Sequence, residues 1–445
     1  MKHILSVLLA VAMVLSLCAP ALAEAPEASV LEAPPAKEGE TVVEFWCIMW
    51  ETWNQDWLKT QAYNFNSRED RPFYVNLQLI DGTTWNERMA AARASDDAPD
   101  ILCADYASVA NYYRMGYTLD LKEMIPQSAW DDLLDSAKDF ITVGGAYAAY
   151  PWMMEPAVVM YYDKNAFTEV GLDPESPPTT WEELVEYAKQ LTTADRFGMD
   201  IDTTYNMWSW TYTSNGGYML TDDWSSANIN SQGMKDFAAL YRNIRSGEFA
   251  SQTALKEQNL GVYAVLEGRS AISFSGSWGI GAINTDYPEK IDQIGVAAAP
   301  TQYGSPFHST SGGWSFAVDS HAKHPQEAAD FIYYMLGSSV ENVADFFVAA
   351  NFAKFTTRKS VAEYLKANTD AGKDERIQII QSDIMPHVVA EPAYPWEITQ
   401  NVNNMLDTIA IDGVEIDQAI ADTEALINQY IKDNDLAGQN PRAAK

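Results

Sequence analysis

The sequence predicts an α/β protein of at least two domains, and three observations carry that expectation. Strand-like and helix-like runs alternate from residue 41 to residue 116. A chain of 445 residues is longer than a single hydrophobic core usually organises. The stretch 150–184, YPWMMEPAVVMYYDKNAFTEVGLDPESPPTTWEEL, couples a buried-strand pattern to a capped helix.

The N-terminal residues read as an export signal. Lys2 and His3 precede an apolar run from Ile4 to Leu17, and Ala21-Leu22-Ala23 supplies a small-residue cleavage site. Residues 1–23 are therefore expected to be removed after Ala23. The run is too short for a membrane span. Leu15-Ser16-Leu17-Cys18 offers a competing lipoprotein reading anchored at Cys18, but Leu17 is larger than the residue such sites place before the cysteine. Residues 24–40, acidic and rich in Ala and Pro, suit a tether.

The first α/β unit follows. Thr41–Ile48 reads as a strand, and the next helical repeat carries Trp57, Leu58, Gln61, Ala62 and Phe65. Phe73–Ile80 alternates Val75, Leu77 and Leu79 as a second strand. A helix over Thr84–Ala94 is expected to be capped by Thr84 and Glu87. Asp100–Ala104 is a third strand, and Ala107–Met115 a helix ended by Gly116. Such alternation predicts a parallel sheet covered on both faces. Ligands of open α/β sheets bind beyond the carboxyl ends of the strands. That rule selects Trp50 and Glu51 after the first strand and Asp105 after the third.

In the stretch 150–184, Tyr150-Pro151-Trp152 forms a stiff crossing and Ala157–Tyr162 an apolar strand. Thr180 opens a helix with Glu183 as its capping-box partner, and Trp181, Leu184, Val185 and Ala188 share a face. Glu155 stands alone between Met154 and Pro156, at a surface or at a site. The combination of Y-P, a Glu, a Y-Y-D-K strand and T-W-E-E-L resembles the family 1 extracellular solute-binding proteins, the maltodextrin-binding protein and its multiple-sugar relatives, where their chain first crosses between lobes. The resemblance implies a two-lobed type II periplasmic-binding-protein fold, each lobe a mainly parallel sheet flanked by helices. Lobe one would comprise 41–149 and 303–345, and lobe two 152–299 and 350–440. Hinge crossings would lie near 149–152, 299–302 and 345–350.

The same resemblance extends over most of 41–440 and implies further ligand contacts. Tyr205 falls near a stacking aromatic, whereas Trp208 and Trp210 read as core. Trp278, at the end of AISFSGSWG, would project into the cleft. Gly313 and Trp314, in GGWSFAV, would let a ligand approach the backbone and give it a stacking face. Trp396 follows an I-M-P motif, with Glu397 where maltodextrin binders carry a second aromatic. The strands holding Cys47 and Cys103 are neighbours in the family, so a disulfide is open, but bridges between adjacent parallel strands fit disulfide geometry poorly, which favours two buried free thiols.

Composition bounds the chemistry. A net charge of −33 argues against binding nucleic acid or another polyanion over a broad surface. Fourteen Trp and twenty-three Tyr suffice to line a cleft after cores are built. Aromatic faces cover the C–H face of a sugar while Asp105 and Glu155 accept from its hydroxyls. The same groups would also cage a cationic amine. No G-x-S-x-G, H-E-x-x-H, P-loop or Cys/His cluster is present, so no catalytic residue, metal or cofactor is assigned. The expectation is a monomeric, extracytoplasmic binding subunit of an ABC importer, tethered or free, delivering a saccharide to the membrane permease. The competing class is a secreted carbohydrate-active enzyme or surface carbohydrate-binding protein.

Overall fold

The computed structural model describes residues 34–49, 52–201, 204–253, 255, 261–302 and 304–443. The side chains of Thr204, Tyr205, Asn215, Gly216 and Ala371 are not described. The signal reading, Cys18, Trp50 and Glu51 lie outside the described residues.

Along the chain, strand β1 (Val42–Met49) leads to helix α1 (Thr52–Asn66), β2 (Tyr74–Asp81), α2 (Trp85–Ala94), β3 (Ile101–Asp105) and α3 (Tyr106–Arg114). Strand β4 (Tyr150–Pro156) is followed at once by β5 (Val159–Asp163), then α4 (Trp181–Leu191), β6 (Phe197–Asp200) and α5 (Thr204–Thr211). Next come β7 (Ser270–Ser275), α6 (Gly279–Asp286), β8 (Ile294–Ala297) and β9 (Thr310–Val318). The last part holds α7 (Val340–Ala349), β10 (Phe355–Thr356), β11 (Val389–Ala390), α8 (Trp396–Ile411) and α9 (Ile416–Asp433).

Two main sheets result. Lobe one orders its strands β10-β4-β9-β3-β1-β2, with β11 beside β9; lobe two orders them β8-β5-β7-β6. Pairing is mixed. Strands β1, β2 and β3 are parallel, as alternating β and α units require, whereas β9 returns antiparallel between β3 and β4. In lobe two β5 is antiparallel to both neighbours, and only β6 and β7 run parallel.

The lobe-one core centres on Phe45, Trp57, Trp152, Phe316 and Phe346. Trp152 stacks on Phe316 at 5.0 Å and on Trp57 at 5.6 Å. The lobe-two core is built on Trp181, Trp210, Phe237 and Phe274, with Trp181 stacked on Trp210 at 5.5 Å. Trp208 and Trp210 are both buried there. Cys47 and Cys103 are buried, free thiols on adjacent strands.

The passages between lobes differ from those expected. Tyr150-Pro151-Trp152, read as a crossing, pairs with β9 inside the lobe-one sheet, and the chain changes lobe at 156–158. Thr301 is still held by lobe two, accepting from Trp181 N and donating to Thr179 O, so the second passage falls at 308–310. Residues 350–387 add Phe352, Phe355, Val361, Ile380 and Met385 to the lobe-one core. The third passage consequently lies at 388–395 rather than near 345–350. All three meet around Ser309. Its hydroxyl accepts from Val158 N at 2.9 Å, its carbonyl from Val389 N at 2.9 Å, and the next carbonyl, Thr310 O, from Ala157 N at 2.8 Å.

Helix starts separate the two predicted caps. Thr180 has extended backbone, and both bonds of its capping box with Glu183 are present. Thr84 has helical backbone instead, and its hydroxyl donates to Asp81 O at 3.1 Å, so no cap forms.

Candidate ligand-binding cleft

The carboxyl end of β3, the start of β9 and the end of β4 face lobe two, and this edge bears most of the expected site. Asp105 closes β3 and caps α3: one oxygen accepts from Ser108 N and the other from Ser108 Oγ, both at 2.8 Å. In the register of the sheet, Trp314 of β9 sits opposite Asp105, and Gly312 opposite Glu155 of β4. Trp314 is half-buried against the lobe-one core. Glu155 is ion-paired with Lys354, both side chains being largely buried.

Gly313 has a different reason to be glycine from the one expected. Its φ is +133°, and a Cβ there would lie 2.2 Å from Met153 O and 2.7 Å from the Tyr106 ring. Strand packing, not a ligand, fills that side. Gly312 faces the opening, where a Cβ would meet Glu391 Oε1 at 3.4 Å.

Two recesses adjoin this edge. One, of about 560 Å³, lies between Trp53 and α7 of lobe one and Trp278, Gly281 and Thr285 of lobe two, with Lys354 also on its wall. Trp278 is half-buried, its ring folded over Gly276 so closely that a Cβ there would lie 2.3 Å from it. The second, of about 500 Å³, is lined by Tyr218, Trp224, Glu391, Tyr394, Asn440 and Arg442 among others. Glu155 links them: it pairs with Lys354 on one side, and its strand partner Gly312 abuts Glu391 on the other.

Electrostatics at the second recess are unusual. Burial, then the nearby charges of Asp105 and Glu155, pushes the Glu391 carboxyl up to about 7, against the opposing pull of Arg442. Burial also lowers the Arg442 guanidinium, and it raises the buried Tyr106 hydroxyl, with Glu155 adding to that rise. Tyr218 donates to Ala390 O at 2.6 Å, fixing the third passage to lobe two.

Of the expected contacts, Asp105, Glu155 and Trp314 share the lobe-one edge but line neither recess, whereas Trp278 of lobe two lines the first, together with Lys354, the ion-pair partner of Glu155. Tyr205 lies in α5 with its side chain undescribed. Trp396, which opens α8, lines neither recess; it is 51% exposed and edge-on to Trp208 at 6.4 Å. Sequence reasoning missed Trp53, Tyr218, Lys354, Glu391 and Arg442. Trp53 follows closely on Trp50, and Glu391 stands beside Pro392 as Glu155 does beside Pro156; those were the available signals. Among the described residues no group of His, Cys, Asp and Glu converges as a metal site.

Comparison with known proteins bears on the fold and the family. Residues 74–341 match the family described as bacterial extracellular solute-binding protein. The chain belongs to that family. A probable ABC transporter-binding protein of Deinococcus radiodurans is 26% identical to this solute-binding protein over 235 residues, half of this chain and 55% of that one. The sn-glycerol-3-phosphate-binding periplasmic protein UgpB of Escherichia coli K12 is 58% identical, but over only 33 residues, 8% of its length. The solute-binding protein thus spans about half or less of the length of these curated relatives. Its fold resembles the cyclic alpha-maltosyl-1,6-maltose binding protein of Arthrobacter globiformis, with TM-score 0.74, 21% identity, and 89% and 100% of the two chains covered. It also resembles the sugar-binding protein MalE of Xanthomonas citri, with TM-score 0.75, 17% identity, and 89% and 98% covered.

Proposed function

We propose that this solute-binding protein takes a saccharide between its lobes and delivers it to an ABC importer in the membrane. The observation that carries the reading is Trp53 of lobe one and Trp278 of lobe two on opposite walls of one recess, with the Glu155–Lys354 pair nearby. Aromatic faces suit the C–H face of a pyranose, and charged groups suit its hydroxyls. Trp314 and Asp105 lie on the same lobe-one sheet edge as Glu155. Contacts from both lobes favour the closed state, since a ligand shifts the hinge only by its differential affinity for closed over open. The structural relatives named for maltosyl and other sugar ligands support the same class. An extracytoplasmic site of action follows from the family, and cleavage after Ala23 would place the chain there.

A thermal-shift panel of mono- and oligosaccharides, with choline and glycerol 3-phosphate as further arms, tests the reading. A raised melting temperature with an unchanged saccharide supports it. Hydrolysed or transferred products would make the chain an enzyme, and a shift with choline alone would make the ligand a cation held by Glu155, Asp105 and Glu391.

A further inference from the structure

After α9 the chain does not stop on lobe two. Leu436 still packs against the lobe-two core, and Gly438 N and Asn440 Nδ2 donate to Asp223 O and Asp222 O, each at 2.6 Å, in the loop beneath Trp224. Pro441 is then buried. Arg442 Nη2 donates to Tyr106 O at 2.6 Å, and Ala443 O accepts from Arg114 Nη2. Tyr106 and Arg114 are the first and last residues of α3 in lobe one. Residues 436–443 therefore span both lobes independently of the hinge, and Arg442 enters the recess bearing Glu391.

We infer that this segment is an intramolecular strap that occupies the polar end of the cleft and must leave before a ligand can use it. The guanidinium stands near Glu391, Asp105 and Tyr218, and the carboxylates partly offset the burial that disfavours its charge. Yet among the described residues its only side-chain hydrogen bond is the one to Tyr106 O, and Nε has no partner. A guanidinium offers five N–H donors. One built as a fixed structural element would saturate them; this one is held by a single carbonyl and by charge, so it can be displaced. Once it leaves, Glu391 in the recess, with Asp105 and Glu155 close enough to act on it, is left as an acceptor for the donors of an incoming ligand. The strap also ties lobe two to α3, so it holds the empty protein partly closed.

The inference rests on the reading of this cleft as the ligand site, and its test has an arm that needs no ligand. Nitroxides placed by Glu69→Cys on lobe one and Gln190→Cys on lobe two, both exposed positions, report the inter-lobe distance by pulsed electron spin resonance. Arg442→Ala, and a chain ending at Leu436, should both shift the ligand-free distribution to longer distances. A distribution identical to that of the parent would overturn the strap. The second arm titrates whichever saccharide the thermal-shift panel identifies. A strap docked nine-tenths of the time lowers apparent affinity about ten-fold, so both variants should bind about ten-fold tighter. Unchanged or weaker binding would overturn the displacement, weaker binding making Arg442 part of the ligand site. If no saccharide binds any form, the proposed ligand class fails while the distance arm still decides the strap. Arg442→Ala keeps the test open should the shortened chain not fold.

Discussion

The Ser309 hydroxyl accepts the backbone N–H of Val158 at 2.9 Å, tying the second passage between the lobes to the first. Ser309 is fully buried, and its carbonyl takes Val389 N from the third passage. One residue thus satisfies donors from both other hinge segments, at the point where β9 begins. Hinge backbone must change its dihedrals on closure while its polar groups stay paired, and a side-chain acceptor at the pivot allows that.

Ser309→Ala leaves the Val158 N–H buried and unpaired. The expected cost is about 1–3 kcal/mol, read as a lower urea midpoint with an unchanged slope. A midpoint equal to that of the parent would mean that water or another acceptor replaces the hydroxyl.

Trp53→Ala and Trp278→Ala each remove one wall of the same recess. Each should weaken saccharide binding by about 2 kcal/mol, roughly thirty-fold in Kd. Isothermal calorimetry with the ligand from the panel measures this, and unaffected binding in both variants would place the ligand elsewhere.

Glu391 gives the protein a pH signature. Its folded carboxyl titrates near 7 against an ordinary value of 4.5, so folding favours its protonated form. The resulting stabilisation is fully present below about 4.5 and is lost as pH rises through about 7. Glu391→Gln should lack that loss: its melting temperature relative to the parent should rise between pH 4.5 and pH 7. Parallel curves in scanning calorimetry would contradict the assignment.

Adjacent glycines should behave differently. Gly313→Ala drives a Cβ into Met153 O at a φ of +133° and should cost about 1–3 kcal/mol. Gly312→Ala meets only the Glu391 carboxylate at 3.4 Å and should fold normally while altering ligand affinity. Chemical denaturation and calorimetry on both variants separate the two effects.

The two threonines predicted as caps offer a paired control. Thr180→Ala should destabilise by about 1 kcal/mol, whereas Thr84→Ala, which removes no cap, should cost measurably less. Equal losses in urea titrations would mean that the Asp81 turn matters as much as the cap.

Local pattern explains which features were legible. Apolar runs located β1, β2 and β3, a helical repeat located α1, and the Thr180–Glu183 spacing identified the start of α4, because these depend on neighbours in sequence. Asp105 and Trp278 were legible because they follow strands. Where the chain changes lobe was less so. An extended run such as Tyr150–Pro156 looks the same in a sheet as in a crossing, and only pairing with β9, more than 150 residues away, separates the two. Glu391 and Arg442 escaped for a related reason: their chemistry comes from neighbours that the fold supplies, and neither lies in a patterned element. At Gly313 the sequence suggested room for a ligand, whereas Met153 O and the Tyr106 ring fill that side.

The place of β9 between β3 and β4 also governs when the molecule can form. A nascent chain that has reached residue 300 already carries β1 to β8, yet β3 and β4, the two strands that should grip β9, stand apart. Lobe one cannot close its sheet until β9 to β11 emerge, and lobe two still awaits α8 and α9. Pairings between strands so far apart in sequence form slowly, so completion of the lobe-one sheet waits on the return of β9 between β3 and β4.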